Sequence, residues 1–202
     1  VLDKGKLFVR LSVMGRPRVT EVLRIAGLAS GPLDEVALQR GTTVHLICRY
    51  HDEGRLDPGT VDPALVGYLD AWRLFWSRMP RPTWISIERE YDNLAYRGTP
   101  DRVCQLDGAY YILDLKTGHP APWHAIQLAA YASLVGGLSS GIEFRRVAVY
   151  LQPDGQYQIK EYPQAEYSAD LQVFHSALII AEWKRRLSNG NKAFRSPSPD
   201  PE

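Results

Sequence analysis

The sequence predicts an α/β fold in which a central mixed β-sheet is flanked by α-helices, and three observations carry that expectation. Segments with strand and helix character follow one another in the order helix, three strands, helix, strand. Two runs of β-branched, aromatic and apolar residues flank Asp107-Gly108, a dipeptide suited to the positive φ angles of a two-residue hairpin turn. Both faces of that hairpin are apolar, with Val103 and Ile112 on one and Cys104, Leu106, Leu113 and Leu115 on the other. A sheet covered on both sides has that pattern.

Composition narrows the class without naming a function. The 202 residues suffice for one domain with a real core, expected over residues 1–187. The formal net charge of +1 does not announce a nucleic-acid binder, so contact with a polyanion would have to come from local basic patches. No apolar run approaches a membrane span, and no membrane association is expected. The two cysteines, Cys48 and Cys104, cannot build a disulfide framework and point to a reducing, cytoplasmic compartment. They also exclude a four-cysteine iron–sulfur cluster held by this chain alone.

Residues 6–13 alternate like a strand, and a Pro- and Arg-marked turn then leads into a short helix bearing Val22, Leu23 and Ile25. Arg16, Arg18 and Arg24 form either a phosphate-binding arm or a solvated rim. Asp34 is placed as the N-cap of a helix that Gly54 ends, with Val36, Arg40, Val44, Ile47 and Cys48 as its inward stripe and Gly41 allowing close packing. His51 is assigned to a loop. Asp62-Pro63 opens a further helix whose Leu65, Leu69, Trp72, Leu74, Phe75 and Trp76 form a broad apolar face. Residues 84–91 read as a strand, on which Glu88 and Glu90 share a face. After the hairpin, residues 123–135 form a helix with Gln127 and Tyr131 on one side; His124 is assigned to the rim. A strand pair around Asp154-Gly155 and a helix over 166–187 complete the core, and the Pro/Ser-rich segment 188–202 is expected to be disordered.

The chemistry concentrates in the hairpin. With Asp107 and Gly108 as the whole loop, Leu106 faces Ala109, Gln105 faces Tyr110, and the register puts Asp101 opposite Asp114. Lys116, two residues on, leaves the same face. Like charges directly opposite are destabilising unless a shared proton, an arginine or a divalent cation neutralises them. A cation would take hard oxygen ligands: the two carboxylates, a backbone carbonyl such as that of Leu115, and water. A longer turn would slip the register by one and send the aspartates to opposite faces.

Glu88, then GTPDRV with Asp101, ILDLKTG with Asp114 and Lys116, and QLAAY with Gln127 and Tyr131 together resemble the PD-(D/E)xK nuclease superfamily, above all its RecB-type and phage-type exonucleases. The motif-bearing core spans about 41–186. The resemblance implies a restriction-endonuclease-like core and divalent-metal-dependent hydrolysis of DNA from free ends. It implies Mg²⁺ or Mn²⁺ held by Asp101 and Asp114, with His45, in a GxxxH pattern, as a further ligand. Lys116 would serve the hydrolytic step, Gln127 and Tyr131 would position it or the phosphate, and Glu88 rather than Glu90 would belong to the site. Without the motifs, His45 would read as a hydrogen-bonded helix residue at the core's edge. The implied substrate is single-stranded DNA or DNA with free ends, in a bacterial or phage-infected cell, with a helicase or a single-strand annealing or binding protein as partner. The alternative is a catalytically inactive nuclease fold that binds nucleic acid or a recombination or repair partner.

Overall fold

A computed structural model of the chain describes residues 15–29, 34–137 and 141–193, with side chains as far as Ser188. The strand expected over residues 6–13 lies outside the described residues.

A five-stranded mixed sheet forms the middle layer. Its strands are β1 (Thr83–Ile87), β4 (Arg102–Leu106), β5 (Ala109–Lys116), β6 (Phe144–Leu151) and β7 (Tyr157–Tyr162), side by side in that order. A small antiparallel pair, β2 (Tyr91–Asp92) and β3 (Arg97–Gly98), stands apart. All neighbours in the main sheet are antiparallel except β5 and β6. A parallel pair needs a crossover connection, and helix α4 (Trp123–Gly136) supplies it.

The hairpin has the expected register: Leu106 pairs with Ala109, Gln105 with Tyr110, and so on to Arg102 with Leu113. Asp107 and Gly108 both take positive φ, 45° and 82°, as a type I′ turn requires. The period of two then splits the hairpin between two cores. Val103 and Ile112 join α1 (Val19–Ala26), α4 and α5 (Tyr167–Ala193) on one side. Cys104, Leu106, Leu113 and Leu115 meet α2 (Glu35–Asp52) and α3 (Val66–Ser77) on the other.

The helices begin where capping predicts. The Asp34 carboxylate accepts the N–H groups of Val36 and Ala37 at the start of α2. Asp62 caps a short 3₁₀ turn, Pro63–Leu65, which runs into α3. Helix α3 presses against the β6–β7 turn so closely that a β-carbon on Gly67 would lie 1.8 Å from the Pro153 carbonyl oxygen.

Several expectations are corrected. Strand β1 ends at Ile87, not residue 91, because Glu88 turns into the left-handed region with φ 46°; Glu88 and Glu90 therefore part company. His51 lies in the last turn of α2, with its Nδ1 3.0 Å from Asp52 Oδ1. Val36 is 72% exposed, so the inward stripe of α2 starts later, with Val44, Ile47 and Cys48 buried. Gly41 is not needed for close approach: a β-carbon there would meet Thr117 Oγ1 at 3.5 Å, an ordinary contact. The final helix runs to Ala193, past the expected end at Leu187. Proline is absent until residue 197, and the Ser188 hydroxyl donates back to the Lys184 carbonyl within the helix. Arg16 pairs with Asp92 and Arg18 with Glu90, which favours a solvated rim over a phosphate arm.

Candidate metal centre and active site

The site gathers where β1 ends, where β4 begins, and where α2 crosses them. Asp101 is buried just before β4. Its Oδ2 accepts the Leu115 N–H at 2.6 Å, and its Oδ1 lies 3.1 Å from His45 Nδ1. A carboxylate only accepts, so His45 donates through Nδ1 and keeps Nε2 as its lone-pair nitrogen in the neutral ring. It is thus the N–H of Leu115 that touches an aspartate.

Glu88 reaches the same place by backbone strain. Its left-handed φ is uncommon for a residue with a β-carbon. Its N–H donates to the Asp101 carbonyl at 2.9 Å, which ties the end of β1 to the start of β4. Glu90 is directed instead to Arg18 and Arg97 at the surface. Glu88 stands 3.7 Å from both Arg49 Nη1 and Arg102 Nη1, yet its Oε1 is buried without a hydrogen bond.

Donor atoms of His45, Glu88 and Asp101 all lie within 4.8 Å of one another. Two carboxylates and an imidazole suit Mn²⁺ or Mg²⁺, and the orphaned Glu88 oxygen is the kind of buried group that a cation would satisfy. The residues present therefore fit a divalent ion.

A second group adjoins the first. Lys116 Nζ lies 2.5 Å from Asp114 Oδ2, though not in hydrogen-bond geometry, and donates to Gln127 Oε1 at 2.8 Å. Gln127 Nε2 then donates to the Tyr131 hydroxyl at 3.1 Å. The ring of Tyr131 covers Gly98, where a β-carbon would come within 2.7 Å of its edge. The glycine that opens GTPD is thus a steric requirement of the tyrosine that closes QLAAY.

These contacts show how the fold tolerates two buried aspartates: each has its own partner, the His45 N–H for Asp101 and the Lys116 ammonium for Asp114. Burial pushes the Asp101 pKa up, but His45, Lys116 and the Leu115 amide outweigh it and hold the group below the usual range. Burial and the Asp101 charge leave Asp114 above that range despite Lys116. Burial lowers the His45 pKa, but the Asp101 charge and hydrogen bond more than reverse it. Burial, then the Asp101 charge, raise Glu88.

The expected residues come to this region in a different division: the metal-type cluster is His45, Glu88 and Asp101, whereas Asp114, expected as a ligand with Asp101, pairs with Lys116 at the head of the chain to Gln127 and Tyr131, and Leu115 meets Asp101 through its amide. Three supporting residues escaped the sequence reading. Arg102 is completely buried; its Nε donates to Asp52 Oδ2 at 2.6 Å and its Nη1 to the Asp101 carbonyl at 2.8 Å. Asp52 also accepts the Trp72 indole N–H at 2.9 Å. Arg49 sits 3.7 Å from Glu88. The signal for Arg102 was present, since it alternates with Cys104 and Leu106 toward a buried face, where an arginine demands a carboxylate. His124, expected on the rim, is buried instead: its Nδ1 accepts from the Tyr150 hydroxyl at 2.8 Å and the Ala121 N–H at 3.3 Å.

An acidic cluster at the ends of β1 and β4, joined to an Asp-x-Lys strand in a mixed sheet, defines a nuclease-type centre. A family model for the PD-(D/E)XK nuclease superfamily matches residues 65–197, and the chain belongs to that superfamily. His45, from α2, lies ahead of the matched stretch. Among solved structures, a protein of Eubacterium rectale named as a proposed exonuclease aligns over 100% of this chain and 96% of its own, at 10% identity and a TM-score of 0.53. An alkaline exonuclease from Laribacter hongkongensis aligns over 92% of this chain and 99% of its own, at 15% identity and a TM-score of 0.38. Comparison with curated proteins finds no match. The family match and the likeness to the Eubacterium rectale structure establish the restriction-endonuclease-like fold.

Proposed function

We propose that this chain is a divalent-metal-dependent deoxyribonuclease that hydrolyses phosphodiester bonds from free DNA ends. The observation that carries the reading is the meeting of His45, Glu88 and Asp101, with donors within 4.8 Å, beside the Asp114–Lys116–Gln127 chain. Mg²⁺ or Mn²⁺, when bound by those three side chains, would lower the pKa of a water and offset charge on the scissile phosphate. Asp101 has a preset orientation, fixed by the Leu115 amide on one oxygen and His45 on the other. Lys116 is the group placed to orient or deprotonate the attacking water, or to stabilise charge as the bond breaks. Gln127 holds the Lys116 ammonium, and Tyr131 in turn holds Gln127. Gln127 and Tyr131 are buried and so back the Lys116 ammonium from the interior, and a group positioned in this way contributes to rate.

Action from ends is supported by the resemblance of the motif set to RecB-type and phage-type exonucleases and by the name borne by the Eubacterium rectale relative. Among the described residues no helix is long and apolar enough to cross a membrane. A helicase or a single-strand annealing protein is the kind of partner that would present such ends.

The test is a digestion panel of end-labelled oligonucleotides and closed circles, single- and double-stranded, with Mg²⁺, Mn²⁺ or EDTA. Degradation of linear DNA with either metal, sparing of circles, and silence in EDTA and in Asp101→Ala support the reading. Rapid cutting of circles rejects the dependence on ends. Binding without cleavage under every metal returns the chain to a catalytically silent DNA-binding module.

A further inference from the structure

Two cavities flank His45 and share it and Ala37 as a common wall, and their charge is opposite. The one of about 510 Å³ contains the carboxylates of Glu88 and Asp101. The other, about 460 Å³, is lined by Arg40, Lys116, His45, His119 and His124 among its polar residues and by no aspartate or glutamate. Arg40 is its least explained member. It projects from α2, half-buried, with Nε shielded from solvent and without a hydrogen-bond partner among the described residues. No carboxylate within ion-pair distance of it is present there either, whereas Arg49 and Arg102 on the acidic side both have one. A shielded guanidinium N–H left without an acceptor is costly unless one completes it, and an anion reaching the half-exposed Arg40 would do so. Across the cavity the Thr117-Gly118-His119 turn closes against α2, with Thr117 Oγ1 3.5 Å from where a Gly41 β-carbon would stand.

We propose that this basic cavity seats a phosphate of the bound strand next to the one being cut, with Arg40 as its principal ligand and the Thr117–His119 turn as the opposite wall. The inference rests on the nuclease reading of the adjoining centre and adds to it a second contact point. A strand lying across His45 would place its scissile phosphate over the acidic cavity, where a cation is needed, and the neighbouring phosphate over Arg40, where none is. A planar fork of donors suits a phosphate better than a point charge does.

The experiment compares wild type, Arg40→Gln and Arg40→Lys, all checked for an unchanged melting profile. Binding of a fluorescein-labelled oligothymidylate is followed with and without Ca²⁺ between about 50 and 200 mM salt. Hydrolysis of that oligonucleotide is set against hydrolysis of thymidine 5′-monophosphate p-nitrophenyl ester, which carries a single phosphate. Arg40→Gln should weaken oligonucleotide binding by about tenfold and reduce the salt slope by about 0.7, the share of one phosphate contact on a single strand. Arg40→Lys should recover the slope. The oligonucleotide-to-ester ratio of kcat/KM should fall by about tenfold in Arg40→Gln. An unchanged slope, or an equal loss on both substrates, overturns the subsite. Oligonucleotides with a 5′-phosphate and with a 5′-hydroxyl, run in parallel, tell an end monoester from an internal diester: a loss in Arg40→Gln confined to the phosphorylated end assigns the cavity to the terminus and overturns the internal seat. If wild type binds the oligonucleotide but hydrolyses neither substrate, the nuclease reading fails while the salt slope still decides the fate of Arg40.

Discussion

Replacing Gly98 by alanine should loosen the Lys116–Gln127–Tyr131 chain from a position that touches none of its polar atoms. The new methyl carbon would lie 2.7 and 2.9 Å from two edge carbons of Tyr131 and 3.0 Å from a Val19 methyl. Carbon atoms prefer about 3.5 Å or more, so the ring must retreat by about 0.8 Å. Neither neighbour has room, because Tyr131 is 4% and Val19 0% exposed. Overpacking of this kind costs about 1–3 kcal/mol, and loss of the 3.1 Å bond from Gln127 to the Tyr131 hydroxyl adds about 1 more. The reduced chain entropy of alanine in the unfolded state offsets about 0.4–1 kcal/mol. The net loss of about 2 kcal/mol should appear in urea denaturation and lower the Tm by about 4–8 °C. A double-mutant cycle identifies the cause. Tyr131→Leu removes the ring edge, so Gly98→Ala should cost about 1 kcal/mol less in that background. Additivity within about 0.4 kcal/mol would refute the steric argument. Oligonucleotide hydrolysis by Gly98→Ala should fall with stability restored by temperature or osmolyte, since Gln127 and Lys116 lose their backing.

Three further outcomes are expected. Gly41→Ala places a methyl at ordinary distance from Thr117 inside α2 and should stabilise the protein by about 0.5–1 kcal/mol in urea titrations; a destabilised variant would contradict the open geometry at that position. Wild type should melt higher in Mn²⁺, by about 2.7 kcal/mol at a hundredfold excess over Kd, and Asp101→Asn should lose that rise; an equal rise in Asp101→Asn places the ion elsewhere. Burial, aided by Lys116 and Lys160, holds the His124 pKa down at about 3, against 6.5 for an ordinary histidine. Between those values the unfolded chain takes up a proton that the folded chain refuses, so stability falls as pH falls, by at most about 1.4 kcal/mol per unit. His124→Asn should flatten the stability profile between pH 6 and about 4; an unchanged slope refutes the assignment.

The hairpin was legible because its signals are local. Asp-Gly fixes a turn, the turn fixes the register, and a period of two then assigns each side chain to a core. Asp101, Asp114 and Lys116 follow from that arithmetic, and Gln127 and Tyr131 follow from helical spacing. What escaped depends on pairing between distant segments. In the alternation of residues 84–91 nothing shows that the chain turns left-handed at Glu88, a choice tied to the Asp101 carbonyl. The ion pair between Asp52 and Arg102 joins a helix end to a strand start, 50 positions apart. His124 looked like a rim residue because its acceptor role is set by Tyr150 on β6, across the crossover. The five-stranded order itself required knowing that α4 carries the chain to a parallel neighbour.

Under the proposed function, the left-handed backbone at Glu88 sets thermal fitness against metal binding at one position. A β-carbon there costs about 1–2 kcal/mol relative to glycine, and the buried carboxylate adds to the burden. A library screened only for heat resistance should therefore enrich glycine or asparagine at position 88, and the survivors should lack Mn²⁺-dependent hydrolysis. Recovery of glutamate alone in such a screen would mean that the residue supports the fold. The conformation would then be a structural necessity rather than a cost maintained by selection for activity.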